Sequence, residues 1–295
     1  MIRLTLFLCA LLLPLSAQAD DDARCRHSAP RQLDLDIEGV RSVMFQVGPH
    51  KLRLQAAAGA AGIQGRACAS GEGWLDDLKV EQERDGDRLL VRLHRGRELR
   101  GIFLGRSHAY LDMEGTVPED VLVQLVVGGG DAWLTGASAM SADVGSGDVE
   151  ARRIAGQATV KVGSGDIGLD EIGSLHVLAI GSGDVEAARV REGLEVGSIG
   201  SGDLVVRGVG GDATIRSIGS GDTELHDVGG SVSIGSIGSG DADLRNIGGS
   251  VTVDGIGSGD LDARGVRGDL TVNGKGSGSV RHEGVAGKVD VPSRR

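Results

Sequence analysis

The chain has 295 residues, 51 of them glycine, a formal net charge of −11 and only 2% aromatic residues. The negative charge argues against nucleic acid or anionic lipid as the main partner. The scarcity of aromatic side chains argues against a carbohydrate cleft built on aromatic platforms. Apolar residues recur periodically in the glycine-rich part, which argues against low-complexity disorder.

The first nineteen residues have the pattern of a secretory signal peptide. Arg3 supplies a positive charge, residues 4–15 form an apolar run, and residues 17–19 read Ala-Gln-Ala, a small-residue cleavage site. The apolar run is too short for a comfortable membrane span. We therefore predict a signal peptide at 1–19 and an exported mature chain that has no membrane-spanning segment. Its expected location is the periplasm, the cell envelope or the medium.

Two cysteines, Cys25 and Cys68, remain once the signal peptide is removed. An even number of cysteines in an oxidising compartment predicts one disulfide between them. Neither cysteine has a second cysteine or a histidine at the spacing of a metal site, although His27 is close to Cys25.

Residues 20–127 are predicted to form an irregular β region that covers the first coil of the part that follows. Runs that alternate with period two predict strands at 33–37, 43–47, 51–57, 78–83, 88–94, 109–113 and 121–127. Asp85-Gly86 carries the signal of a hairpin turn. The pattern leaves open whether this region is a separate domain or a set of imperfect coils.

From residue 128 onward, the tetrad Gly-Ser-Gly-Asp recurs at a nearly fixed period. Its spacings are 18 or 19 residues, and it starts at Gly145, Gly163, Gly181, Gly200, Gly219, Gly238 and Gly257. When the repeats are aligned on the tetrad, apolar columns alternate with polar ones, as in strands that have one buried face. Strands this short bury their apolar face only by stacking on one another. We predict an all-β fold, a parallel β-helix or β-solenoid of 18–19-residue coils over 128–295.

Glycines between the strand segments are expected to allow corners with positive φ. At the C-terminal end the apolar columns change to Lys275, His282 and Arg294, and Ser279 replaces the tetrad aspartate. A terminal repeat needs a polar outer face, so these substitutions predict a cap.

The chain resembles a family of bacterial envelope proteins with β-strand repeats that are described as adhesins. The resemblance is carried by the signal peptide, by the stretch containing Val117, Pro118, Val121 and Val123, and by the Gly-Ser-Gly-Asp repeats that follow. It covers most of the mature chain, is strongest over 128–291, and includes the auto-transporter-adhesin-like head domains. It implies a β-helical fold and an envelope location, and it brings no catalytic residues with it.

The tetrad aspartates form the sharpest candidate site, a ladder along one corner of the solenoid. Its members are Asp148, Asp166, Asp184, Asp203, Asp222, Asp241 and Asp260, with Asp131 as a candidate eighth. Two carboxylates about 4.8 Å apart repel by roughly 0.9 kcal/mol in water, so the ladder needs compensation. We favour Asx-type turns within each corner. The alternative is calcium or another hard cation bound along the ladder.

No catalytic site is predicted. The serine and histidine columns do not coincide, so no serine has a repeated base beside it, and no cofactor-binding motif occurs. The leading hypothesis is a non-enzymatic adhesin or interaction scaffold of the bacterial cell envelope, whose partner is an envelope protein or a glycan. The alternatives are a polysaccharide-binding or polysaccharide-active β-helix and a cation-binding repeat protein.

Overall fold

The computed structural model describes residues 25–59, 61–96 and 108–292. The predicted signal peptide and Arg294 lie outside these ranges. The described part contains one short 3₁₀ helix, Glu72–Trp74, and otherwise consists of strands, turns and irregular segments. None of its helices is long and apolar enough to cross a membrane.

The N-terminal strands are β1 (His27–Asp34), β2 (Ser42–Gly48), β3 (Lys51–Ala56), β4 (Gly62–Ala69), β5 (Leu78–Asp85), β6 (Arg88–Arg95) and β7 (Ala109–Val117). The coils that follow begin with β8 (Leu122–Val127), β9 (Asp131–Thr135), β10 (Ala139–Val144), β11 (Asp148–Val162), β12 (Ile167–Ile180), β13 (Val185–Val190), β14 (Leu194–Ile199), β15 (Leu204–Val209) and β16 (Ala213–Ile218). They continue through β17 (Thr223–Val228), β18 (Val232–Ile237), β19 (Ala242–Ile247), β20 (Val251–Ile256), β21 (Leu261–Val266), β22 (Leu270–Val272), β23 (Val280–Glu283) and β24 (Val289–Asp290).

Each coil contributes one strand to each of two parallel stacks. The front stack follows the tetrads and contains β9, the first halves of β11 and β12, and then every odd-numbered strand from β13 to β23. The rear stack contains β8, β10, the second halves of β11 and β12, and every even-numbered strand from β14 to β24. The predicted β-solenoid is therefore confirmed.

The buried columns are those that the period-two pattern predicts. In the coil that begins at Gly238, for example, Ala242, Leu244, Val251 and Val253 are all at most 1% exposed. Each column continues in register into the neighbouring coils, so the core of the coils is one continuous stack of aliphatic side chains in which Thr223 is the one buried polar residue among the described tetrad coils.

The N-terminal region supplies two further layers to the solenoid. Strands β2 and β3 pair in parallel with β8 and β9, and on their other side with β6 and β7. Next, β5 and β4 run antiparallel to β6 and β7, and β1 runs antiparallel to β4. The irregular N-terminal strands are thus present and cover one end of the coils, while the domain boundary at residue 127 stays a prediction.

A disulfide ties the start of the described chain to this covering layer. Cys25 and Cys68 are bonded, with their Cα atoms 5.3 Å apart, and Cys68 is fully buried in β4. The predicted disulfide is therefore confirmed.

The prediction that glycines between the strand segments allow corners with positive φ does not hold for the tetrad glycines. None of them has φ in the left-handed region. The second glycine of each tetrad packs instead against the backbone of the tetrad one coil before it: a Cβ on Gly221 would overlap the carbonyl oxygen of Gly202. These glycines are needed because backbones approach each other closely at the corner.

Positive φ occurs elsewhere, at a bend near the end of each front strand. The bend residues are Arg153, Glu171, Arg189, Gly208, Asp227, Asn246, Gly265 and Gly284. Most of them are not glycine, so several coils adopt a backbone conformation that costs an ordinary residue roughly 1–2 kcal/mol. The stacked register of neighbouring coils holds this bend in place.

Candidate functional site

The aspartate ladder exists, but its bonds run between coils rather than within a corner. In each step, one carboxylate oxygen accepts the backbone N–H of the next aspartate along the stack. The steps run from Asp148 to Asp166, Asp184, Asp203, Asp222, Asp241 and Asp260, with N···O distances of 2.8–3.2 Å. Our preference for local Asx-type turns is therefore corrected to a bond across the coil spacing.

The two ends of the ladder differ. At its start, the N–H of Asp148 donates to the carbonyl of Gly130, so Asp131 does not join the series. At its end, Asp260 accepts the N–H of Ser279 at 2.9 Å. Hydrogen bonding from Ser279, with the Arg281 guanidinium close by, holds the pKa of the Asp260 carboxyl below its ordinary value.

Hydrogen bonds from backbone N–H groups thus offset part of the repulsion expected between the ladder carboxylates. Each bonded N–H brings partial positive charge to a carboxylate without a counter-ion. Within the described ranges, no group of three or more histidine, cysteine, aspartate or glutamate side chains is arranged to hold a metal ion. Binding of calcium along the ladder stays a prediction.

A second, shorter ladder occupies the opposite corner and was missed from the sequence. The N–H of Ser231 donates to Asp212, that of Ser250 to Ser231, that of Asp269 to Ser250, and that of Lys288 to Asp269. The signal was present, because an aspartate or a serine directly precedes the rear strand in successive coils. Both corners therefore stack their coils in the same way.

The ladder bonds make a testable contribution to stability. Asp222→Ala removes the acceptor for the N–H of Asp241 and should lower the free energy of unfolding by about 1 kcal/mol. Asp222→Asn keeps an acceptor oxygen and removes one like charge, so we expect less than half of that loss. Urea unfolding of the two variants measures the difference, and equal losses would contradict the proposed role of the bond.

The outward side of the front stack, called here the front face, carries charges in two neighbouring columns. Arginines in one column pair with acids two residues earlier in the same strand: Arg152 with Glu150, Arg245 with Asp243, and Arg264 with Asp262. The hydrogen bond that Arg245 donates to the Asp243 carboxylate raises the pKa of Arg245 above its ordinary value. Three of the four arginines in this column, Arg152, Arg245 and Arg264 but not Arg207, therefore belong to a paired, mixed-charge surface.

A groove of about 440 Å³ interrupts this surface over the first tetrad coils, and we call it the front groove. It lies where the outward columns lose their long side chains, at Gly168 and Ala188. Its borders are the first three ladder aspartates on one side and Arg152 and Arg207 on the other. The groove is an open depression on an otherwise regular face, lined by both charged and apolar residues, and no sequence pattern predicted it.

An aromatic side chain lies near the groove but does not offer a free stacking platform. Trp133 occupies the same outward column as Glu150 and Gly168. The Arg53 guanidinium lies over its ring, 4.6 Å from the ring centroid. One face of the indole is thus already engaged in a cation–π contact.

Comparison with known proteins supports the fold. No protein-family model matches the chain, and no curated protein sequence does. A solved structure of a "putative adhesin" from Parabacteroides merdae is 17% identical, covers 87% of this chain and 96% of its own, and superposes with a TM-score of 0.51.

Two more solved structures are similar over comparable lengths. A "putative lipid binding protein" from Parabacteroides distasonis has 15% identity, coverage of 90% and 97%, and a TM-score of 0.41. A "putative adhesin" from Bacteroides fragilis has 12% identity, coverage of 90% and 98%, and a TM-score of 0.33. At these identities the likeness concerns the fold alone, and the Parabacteroides merdae protein is the one that supports it. The resemblance to adhesin-like solenoids is confirmed at that level.

Proposed function

We propose that the chain is a non-enzymatic, adhesin-like interaction scaffold of the bacterial cell envelope, and that it binds through the front face. The observation that carries this proposal is the regularity of that face. Short corners connect the coils, paired charges cover the strands, and one shallow groove offers the concave surface. A catalytic cleft on a β-helix is usually built by long loops inserted between coils, and the tetrad coils carry none.

Three observations support the envelope location. The N-terminal sequence has the pattern of a signal peptide, Cys25 and Cys68 form a disulfide, and the fold is shared with a "putative adhesin". Disulfides persist in oxidising compartments outside the cytosol. The partner is proposed to be an envelope protein or a glycan.

A variant that fills the front groove tests the proposal. A Cβ on Gly168 would meet only the Glu150 side chain, at 3.8 Å, so Gly168→Gln fits without disturbing the backbone. Gly255→Gln on the rear stack is the matched control, because no heavy atom lies within 4 Å of a Cβ at that position. We expect Gly168→Gln to weaken binding to bacterial polysaccharides or purified envelope fractions at least about tenfold, and Gly255→Gln to leave it unchanged.

The same binding assays, with polysaccharides and envelope fractions, separate the proposed scaffold from its alternatives. Release of shortened products from any polysaccharide would overturn the non-enzymatic assignment. Absence of binding to every polysaccharide and every envelope fraction would overturn the scaffold itself. Equal binding by the two glycine variants would move the interaction away from the front groove.

A further inference from the structure

The two ends of the solenoid are finished differently. At the N-terminal end, β4 and β5 pair antiparallel with β7 and β6, the outermost of the parallel layers. At the other end, β23 pairs with β21 and β24 pairs with β22, and no element of the described ranges lies beyond them. Val289 is 37% exposed, and Val280, Val285 and Val291 are only partly buried against the core.

The last coil also presents backbone groups for which no partner is found among the described residues. Ser279 accepts a bond from Leu261 and donates one to Asp260, so both of its backbone groups face the preceding coil. Successive residues of a strand direct these groups to opposite sides. Val280 and His282 therefore direct their N–H and C=O groups outward, along the solenoid axis.

The second strand of the coil follows the same rule. Lys288 accepts a bond from Leu270 and donates one to Asp269, again toward the preceding coil. Val289 therefore directs its N–H and C=O groups outward. His282 and Val289 lie on the front and rear strands of the same coil. A single two-fold axis, perpendicular to the long axis of the solenoid, can therefore pass close to both residues and relate two copies of the chain.

A two-fold rotation about that axis brings the basic side chains beside these two residues opposite acidic side chains of a second copy. Antiparallel pairing of β23 about His282 places Arg281 opposite Glu283 of a second copy. Pairing of β24 about Val289 places Lys288 opposite Asp290. Both pairs fall at the non-hydrogen-bonded positions of an antiparallel ladder, where opposing side chains are closest. Within one chain Arg281 pairs with Asp260 at 3.3 Å and Lys288 with Asp290 at 3.0 Å, but both basic side chains are largely exposed, at 65% and 76%. Exposed ion pairs of this kind are weak, so these side chains can exchange their partners for those of a second copy.

We propose that this C-terminal end is a docking surface for a second copy of the chain. The two copies join end to end, with β23 pairing with β23 and β24 with β24, and the exposed valines meet across the interface. Both copies use the same two strands about a two-fold axis, so the contact is isologous and closes at a dimer rather than extending into a fibre. The dimer does not depend on what the front face binds.

Cysteine cross-linking tests the two-fold axis directly. Residues that face each other across such a pair have Cα atoms about 5.5 Å apart, which suits a disulfide. On mild oxidation, the full chain carrying His282→Cys should form a disulfide-linked dimer rapidly. Ser233→Cys, exposed on the rear stack, is the control and should not. Equal cross-linking of the two variants, or none at His282→Cys, would overturn the proposal.

Charge reversal tests the same surface in solution without a covalent bond. We expect sedimentation velocity to show a monomer–dimer equilibrium, and Arg281→Glu to raise the dissociation constant at least about tenfold through repulsion by Glu283. The double variant Arg281→Glu/Glu283→Arg restores opposite charges across the axis and should restore most of the affinity. A chain that is monomeric at every concentration would show that the end is a cap only. Failure of the double variant to recover, while it unfolds like the parent chain, would also contradict the pairing.

Discussion

Gly240→Ala is expected to destabilise the solenoid by more than about 3 kcal/mol, because the added methyl group overlaps backbone rather than a movable side chain. A Cβ at residue 240 would collide with the carbonyl oxygen of Gly221 in the preceding coil. Two bonds hold that corner: the N–H groups of Ser239 and Gly240 both donate to the carbonyl of Gly219, at 2.8 and 3.1 Å. Making room for the methyl group lengthens both bonds.

Gly255→Ala provides the control for this substitution. Gly255 lies in the next rear strand, its φ is outside the left-handed region, and a Cβ there meets no heavy atom within 4 Å. Alanine should change the stability at that position by less than about 1 kcal/mol. Denaturant unfolding followed by circular dichroism measures both variants. Similar losses would show that glycine acts through chain flexibility rather than through close approach.

The stability of the chain is expected to fall by roughly 3 kcal/mol between pH 6.5 and pH 4 on account of His50 alone. This residue lies at the corner between β2 and β3, is 1% exposed, and accepts the N–H of Leu111 through Nδ1 at 3.2 Å. Burial, helped by the nearby Arg95 and His94, lowers the pKa of His50 from 6.5 to about 4. Between pH 6.5 and pH 4, His50 is protonated in the unfolded chain but stays neutral in the folded chain. The free energy of unfolding is therefore highest above pH 6.5 and decreases as the pH falls.

A pair of variants separates this effect from general acid unfolding. His50→Asn keeps an acceptor for Leu111 but does not titrate, so its stability should decrease less steeply over this pH range. His282→Asn changes an exposed histidine in the last coil and should keep the slope of the parent chain. Urea unfolding at several pH values gives the three curves. A slope for His50→Asn equal to that of the parent would show that His50 does not control the acid sensitivity.

Sequence periodicity predicts the coils well because each inward column is local to one strand. Ala242 and Leu244 alternate with polar residues, Ile247 follows the bend at Asn246, and all three are buried as expected. The bonds of the ladders are harder to predict, since a turn aspartate has equally suitable donors in its own corner and in the next coil. Asp241 has the same position in the repeat whether its carboxylate bonds within its own corner or to the next coil, so the sequence pattern does not distinguish the two.

The N-terminal region shows where local patterns are insufficient. Strand β4 was not predicted, because Gly65, Ala67 and Ala69 give it little apolar alternation. Strand β1 begins earlier than predicted, at His27, and ends before the predicted 33–37 segment is complete. The layer formed by β2 and β3 lies between β6–β7 and β8–β9, so its neighbours are not those next to it in the chain. Such pairings depend on the whole fold.

The ladder bonds have a consequence for how this protein can change in length. Each ladder aspartate bonds only to the coils directly before and after it, and the inward columns are nearly interchangeable from one coil to the next. Insertion or deletion of one complete 19-residue unit therefore restores the aspartate-ladder bond at the junction and changes the axial length by about 4.8 Å. Unequal recombination between the gene segments that encode the tetrad coils can thus change the length of the solenoid by one coil at a time, without altering the strands at its two ends.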